Sequence, residues 1–326
     1  HDKRKPKRPT LTKKDFLMIY NNVITYKFKR KTKNCINFVI QPIQKACYYK
    51  VIKLCNYIGI TSLILLPFSA SAIELQAPVT QATYVYGKVA PDERVFIGKT
   101  EIKTTKDGLF VFGLPQDTEK ELILTSQKNG QTKTWKMPIA PRKFKEEVVN
   151  GLPPHKVTPS KEDQKRIAAD NKALRTARSE TSYETLPFCF SRPVDKNARI
   201  SSTFGARRVL NGVKTSGHSG TDYALPAGTP ILSPQDGIVR LAHDDMFFSG
   251  KTILIDHGYG LFSSYSHLSK IDVKNGQTLK RGDKIGEIGT TGRSTGPHLH
   301  LTFTWFGVRV DPEFVLTTYP CVDEKE

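Results

Sequence analysis

His298-Leu299-His300 opens the run His298 to Trp305 (HLHLTFTW), and the reading of this run decides the reading of the chain. The run is rich in β-branched and aromatic residues, which predicts a strand. On a strand, successive side chains point to opposite faces. Both imidazoles then share one face and Leu299 takes the other. Runs of the same kind lie upstream, at Ile238-Val239-Arg240-Leu241 and Thr252-Ile253-Leu254-Ile255. Turn signals recur around them at Asn211-Gly212, Asp236-Gly237, Asn275-Gly276 and Gly282-Asp283. No internal repeat and no long helical pattern interrupts the region. Residues 187–326 are therefore expected to form a mainly β, antiparallel domain.

Six of the eight histidines fall in this region, so its chemistry is sought there. A second short motif, His218-Ser219-Gly220-Thr221-Asp222, places a carboxylate four residues after an imidazole. Zinc prefers imidazole and carboxylate ligands, and catalytic zinc sites use three protein ligands plus water. Two such segments can supply His, Asp and His. Each motif alone is weak, because a lone His-x-His is more often a surface or packed pair. Together they make a metal hypothesis. His267, in Ser264-Tyr265-Ser266-His267-Leu268, is a further candidate. His243 reads as a loop residue and His257 as a structural residue beside a turn.

Outward from this domain the composition shifts twice. Residues 142–186 contain the breaker Gly151-Leu152-Pro153-Pro154, and then a polar, charged stretch to about Arg178. Ser160, with Asp163 three residues on, can cap a helix there, although Glu or Gln would be the better partner. Ile167 and Leu174 form only a thin apolar stripe, so the helix is expected to be solvated. Residues 73–141 read as a small β domain, a sandwich or barrel for spacing or binding. Its runs are Thr83-Tyr84-Val85-Tyr86, Arg94-Val95-Phe96-Ile97 and Leu109-Phe110-Val111-Phe112. Asp107-Gly108 and Asn129-Gly130 are expected hairpin turns.

Residues 1–72 carry most of the positive charge. Twelve Lys and three Arg face Asp2 and Asp15, giving +13 of the total +19. The folded part is only mildly basic, which argues against nucleic-acid binding and suits an anionic polymer. Lys50 and Lys53 precede the apolar run Tyr57 to Phe68, which Ala70-Ser71-Ala72 follows. This is the pattern of a secretory signal cleaved after Ala72, and the run is too short to span a bilayer comfortably. The expectation is export, with no stable membrane insertion afterwards. Cys55 precedes the run, which argues against a lipoprotein. Translation is expected to begin late, near Met18 or at a non-AUG codon near Val51. The mature part keeps Cys189 and Cys321, which can close a long loop in an oxidising compartment or stay as two thiols.

The motifs also carry a resemblance. Gly217 to Ala224 (GHSGTDYA) with Pro226-Ala227-Gly228-Thr229-Pro230, then Tyr265-Ser266-His267-Leu268, then Gly292 to His300 (GRSTGPHLH), resemble in order the metal motifs of the LytM/lysostaphin-type M23 peptidases. The similarity runs from about Ile200 to Phe314 and includes Phe204-Gly205 and Val310-Asp311-Pro312. The segment Arg207 to Gly212 and Gly151-Leu152-Pro153 resemble a Gram-negative subgroup with a preceding β domain. The resemblance implies a LytM, duplicated-hybrid-motif-like fold and Zn2+ held by His218, Asp222 and His300. It implies catalytic roles for His267 and His298 beside the open coordination position, with peptidoglycan as substrate. A periplasmic D,D-endopeptidase is the expectation. The alternatives are a non-enzymatic regulator of cell-wall amidases, a secreted peptidase for glycine-rich or other proteins, and a wall-binding module with structural zinc.

Overall fold

The computed structural model describes residues 73–321. The expected signal segment and late translation start therefore lie outside the described residues. The described part forms one compact unit, and it is mainly β, as the sequence leads one to expect.

Its centre is an antiparallel sheet. In order, its strands are Thr278–Leu279, Gly237–Met246, Gly250–Gly258, Leu261–Ile271, Leu299–Trp305, Thr221–Ala224 and Arg199–Ser202. Strand Lys284–Ile288 pairs with both Leu261–Ile271 and Pro230–Leu232, and Val308–Val310 extends from Leu299–Trp305. Ile253, Ile255, Leu261, Tyr265, Leu299, Leu301 and Phe303 are buried in its core. Removing such side chains from water is the main driving force for the fold. The hairpin between Gly250–Gly258 and Leu261–Ile271 turns on Tyr259 and Gly260, both at positive φ, where glycine is favoured. His243 departs from the sequence reading. It sits within strand Gly237–Met246, opposite Thr252, because pairing with Gly250–Gly258 carries the strand past its apolar run.

Residues 73–138 build two small sheets. One orders Glu74–Leu75, Tyr84–Lys88 and Leu109–Gly113; the other orders Thr100–Ile102, Arg94–Ile97, Glu121–Lys128 and Gln131–Pro138. Asn129 and Gly130 make the expected two-residue hairpin. Asp107-Gly108 does not. The chain turns there, with the Gly108 N–H donating to Thr105 O at 2.9 Å, but the flanking strands join different sheets. Phe110 and Phe112 are drawn into a core that continues into the large sheet. At that seam a Cβ on Gly113 would lie 3.0 Å from Trp305 Cβ. The Tyr319 hydroxyl donates to Tyr84 O at 3.1 Å.

Between the two lies a connecting segment with more structure than its composition suggests. Glu146–Val149 forms a strand, parallel to Arg207–Leu210 and in register Glu146 to Arg207 and Glu147 to Arg208. Opposite charges facing across the ladder favour this register. Helix Lys161–Ala177 carries the Ser160–Asp163 capping box and buries no residue. It is tied down through Arg166 to Asp245 at 2.7 Å and by the Phe247 N–H donating to Asp170 at 2.7 Å. No helix among the described residues is long and apolar enough to cross a membrane.

Cys189 and Cys321 form a disulfide, their Cα atoms 4.7 Å apart and 132 positions apart in sequence. A loop of that length removes about 5 kcal/mol of unfolded-chain entropy in the chain-entropy model. Reduction is expected to lower the denaturation midpoint sharply, as followed by tryptophan fluorescence in urea with and without reductant. An unchanged midpoint would show that the bond stabilises nothing.

Candidate metal centre

Strand pairing brings the candidate residues together. Asp222 lies directly opposite His300 in the ladder, and Ser266 lies opposite His300 on the other side. His218 enters from the loop before Thr221–Ala224. Its N–H donates to Ala206 O and its carbonyl accepts from the Gly205 N–H, both at 2.8 Å. Gly220 is required between them, since a Cβ there would meet Leu301 O at 2.1 Å. His298 sits just before strand Leu299–Trp305 and forms a bridge to Gly289. Leu299 points into the core while both imidazoles line the groove, as the alternation predicts.

Three donor atoms converge. Asp222 Oδ1 lies 2.7 Å from His300 Nδ1 and 3.1 Å from His218 Nε2, and the two nitrogens are 3.0 Å apart. The outer atoms fix the tautomers. His218 Nδ1–H donates to Thr203 O at 3.0 Å, which leaves Nε2 bare. His300 Nε2 faces the Thr302 and Ser219 hydroxyls at 3.1 and 3.3 Å, which can accept its proton and leave Nδ1 bare. Three lone pairs this close repel unless a positive centre sits among them. Ligands at ~2.0–2.1 Å from a tetrahedral zinc would stand ~3.3 Å apart. The three atoms need to spread by about 0.2 to 0.6 Å to reach that spacing, so the donor set fits a metal ion.

The surroundings hold Asp222 ionised. Burial pushes its carboxyl up, but the facing His218 and His300 imidazoles outweigh this and keep it well below the usual range. Its other oxygen accepts from Arg208 Nη2 at 2.7 Å. The same Nη2 reaches Ser202 Oγ at 2.7 Å, and Ser202 stands 2.9 Å from His218 Nδ1 and donates to Glu147. Arg208, Ser202 and Glu147 thus orient two of the three donors. They were not singled out as site residues from the sequence. The available signal was the charge match between Glu146-Glu147 and Arg207-Arg208.

His267 and His298 stand beside the donors with ring centroids 4.6 Å apart. His267 Nδ1–H donates to Thr291 O at 2.7 Å, and His298 Nδ1–H to Gly296 O at 2.8 Å. Both therefore present a bare Nε2. That of His298 lies 3.9 Å from Asp222 Oδ1. Burial, then the neighbouring His298 and His300, push the His267 imidazole down to about 3. His267 also has φ +66°, a left-handed backbone rare outside glycine and costly by roughly 1–3 kcal/mol. The remaining buried imidazole, His257, is structural: it bonds Asp236 O and Ser263 Oγ at 2.9 and 2.7 Å, and burial pushes it down to about 4. The groove over the site has a volume of about 430 Å³.

Comparison with known proteins agrees with this arrangement. Residues 216–312 match Peptidase family M23. A Pseudomonas aeruginosa crystal structure ascribed to peptidase M23 superposes with a TM-score of 0.59 at 30% identity, covering 75% of this chain and 97% of that one. The chain belongs to peptidase family M23, a family of metallopeptidases. Among curated relatives it is similar to the peptidoglycan DD-endopeptidase ShyA of Vibrio cholerae, 45% identical over 119 residues, which are 36% of this chain and 27% of that protein. It is also similar to the DD-carboxypeptidase/endopeptidase Mpg of Neisseria meningitidis, 38% identical over 124 residues, 37% of this chain and 28% of that protein. The chain spans little more than a quarter of the length of these two relatives.

Proposed function

We propose that this chain is a zinc metalloendopeptidase that hydrolyses peptide cross-links or stem peptides of peptidoglycan, as a D,D-endopeptidase. The carrying observation is the convergence of three bare donor atoms beside two further imidazoles with free Nε2 atoms. His218, Asp222 and His300 hold the metal in this reading. When bound, zinc lowers the pKa of a water toward about 7 and polarises the scissile carbonyl. The chain's own residues handle the protons. His298 and His267 aim their Nε2 lone pairs at the reacting centre, where each can accept a hydrogen bond. His298 is the more open of the two, with 16% of its side chain exposed, and acts as the shuttle. It takes a proton at Nε2 and returns it to the leaving amine. His267, buried and a poor proton acceptor, orients the attacking water.

The substrate follows the named activities of the relatives, and the mildly basic folded part suits an anionic polymer. The leader pattern and the Cys189–Cys321 bond support a periplasmic location after cleavage behind Ala72. A non-enzymatic regulator is disfavoured by the complete donor set.

The test is digestion of purified peptidoglycan by the mature protein, with mass analysis of the products. Cross-linked muropeptides are expected to fall and monomers to rise without release of sugars. Chelation is expected to stop the reaction and added Zn2+ to restore it. Release of glycan fragments alone, or full cleavage by metal-free protein, would sink the reading.

A further inference from the structure

We infer that Arg293 determines specificity by binding a carboxylate of the substrate beside the scissile bond. This rests on the peptidase reading above and deepens it by naming the chemistry the groove selects. Arg293 lines the same groove as His267, His298 and His300. Its backbone N–H is fixed on Phe248 O at 2.7 Å, and its guanidinium lies over the Phe248 ring, 4.3 Å from the centroid. The guanidinium makes one long bond, from Nη1 to Lys156 O at 3.3 Å.

What it lacks is an anion. Among the described residues no carboxylate lies within ion-pair distance of Arg293. The two acids of the groove are committed elsewhere, Asp222 to Arg208 and the imidazoles, Glu147 to Ser202 and Arg208. Three other half-buried arginines have acidic partners, Arg142 with Asp311, Arg192 with Glu313 and Arg240 with Asp256, whereas Arg178, which does not line the groove, has none among the described residues. Arg293 is half-buried, and burial together with the nearby Arg208 weighs against its charge. An arriving carboxylate would offset both. A guanidinium presents a planar fork of donors suited to a carboxylate, and the aromatic contact holds that fork in place.

Arg199 is a built-in control. It lines the other side of the groove from the outermost strand, and it is exposed to solvent. Screening by water leaves such a charge little selective power. Arg293 is held on Phe248 O, just before strand Gly250–Gly258, and Arg199 is on the edge strand Arg199–Ser202, so the strands that carry His300 and Asp222 run between them.

The experiment uses two synthetic cross-linked stem peptides, identical except that the carboxylates flanking the scissile bond are free in one and amidated in the other. The zinc-loaded protein is expected to favour the free acid by about 10- to 100-fold in kcat/KM, mostly through KM, the range of a hydrogen bond between charged groups. Arg293→Gln is expected to erase the preference by lowering cleavage of the free acid to that of the amide, with bound zinc unchanged. Arg293→Lys should recover part of it, and Arg199→Gln should keep it. Equal cleavage of the two peptides by the unaltered protein overturns the inference and leaves the peptidase reading standing. So does a preference that survives in Arg293→Gln, or one that vanishes equally in Arg199→Gln. Cleavage of neither peptide overturns the peptidase reading, and the inference with it.

Discussion

His298→Ala is expected to lower kcat/KM on cross-linked muropeptides by about 10³-fold or more while zinc stays near one per chain. The imidazole is not among the three converging donors, so its loss leaves them intact. Its Nδ1–H is held by Gly296 O, and only the bare Nε2 faces the reacting centre. In the proposed mechanism alanine removes the group that protonates the leaving nitrogen, which is not expelled as an amide anion. General acid–base catalysis contributes about 10²–10⁴-fold. The loss should appear in kcat, because a proton shuttle acts in the transition state and not in substrate binding. Steady-state kinetics with parallel zinc analysis measure both quantities. Near-full activity with normal zinc would remove His298 from the mechanism.

His300→Ala is the second large effect, and its signature is different. Here both zinc content and cleavage should collapse together. His300 Nδ1 is close to both of the other donors, at 2.7 Å from Asp222 Oδ1 and 3.0 Å from His218 Nε2. Deleting it leaves two ligands where a catalytic zinc site needs three. Purified variant protein is expected to hold less than about a tenth of an equivalent of zinc after dialysis against a weak chelator. Stoichiometric zinc in this variant would show that the ion is held elsewhere. The pair of variants separates two roles that activity alone would merge: His298→Ala keeps metal and loses catalysis, and His300→Ala loses both.

The sequence carried the candidate site further than it carried the architecture. His218, Asp222 and His300 are legible from residue type and spacing as a metal hypothesis, and the resemblance to the M23 motifs adds the roles of His267 and His298. The alternation through His298, Leu299 and His300 already separates groove from core. Arg208 and Glu147 are less legible, because their value depends on a parallel pairing between positions 61 residues apart. Local pattern says nothing about such partners. The strand at Glu146–Val149 is hidden for the same reason: two acids followed by two valines show no period-2 alternation. Asp107-Gly108 shows the opposite limit. Turn chemistry fixes that the chain bends, but which strands then pair is decided by the aromatic side chains of Leu109–Gly113 seeking the shared core.

The left-handed backbone at His267 makes the centre sensitive to insertions in a turn that contributes none of its side chains. The direction of this imidazole is set less by its rotamer than by two peptide groups that hold it: its N–H bonds Ser249 O at 2.8 Å, and its ring bonds Thr291 O. Ser249 lies in the short turn between Gly237–Met246 and Gly250–Gly258. Adding one residue to that turn would move the carbonyl that pins His267 and swing the ring away without altering any residue of the centre. Glycine or asparagine at 267 would keep the backbone path, whereas a β-branched valine would strain it further than histidine does. Length variation in the 247–249 turn should therefore penalise the chemistry as well as the packing of Phe247, which is buried there.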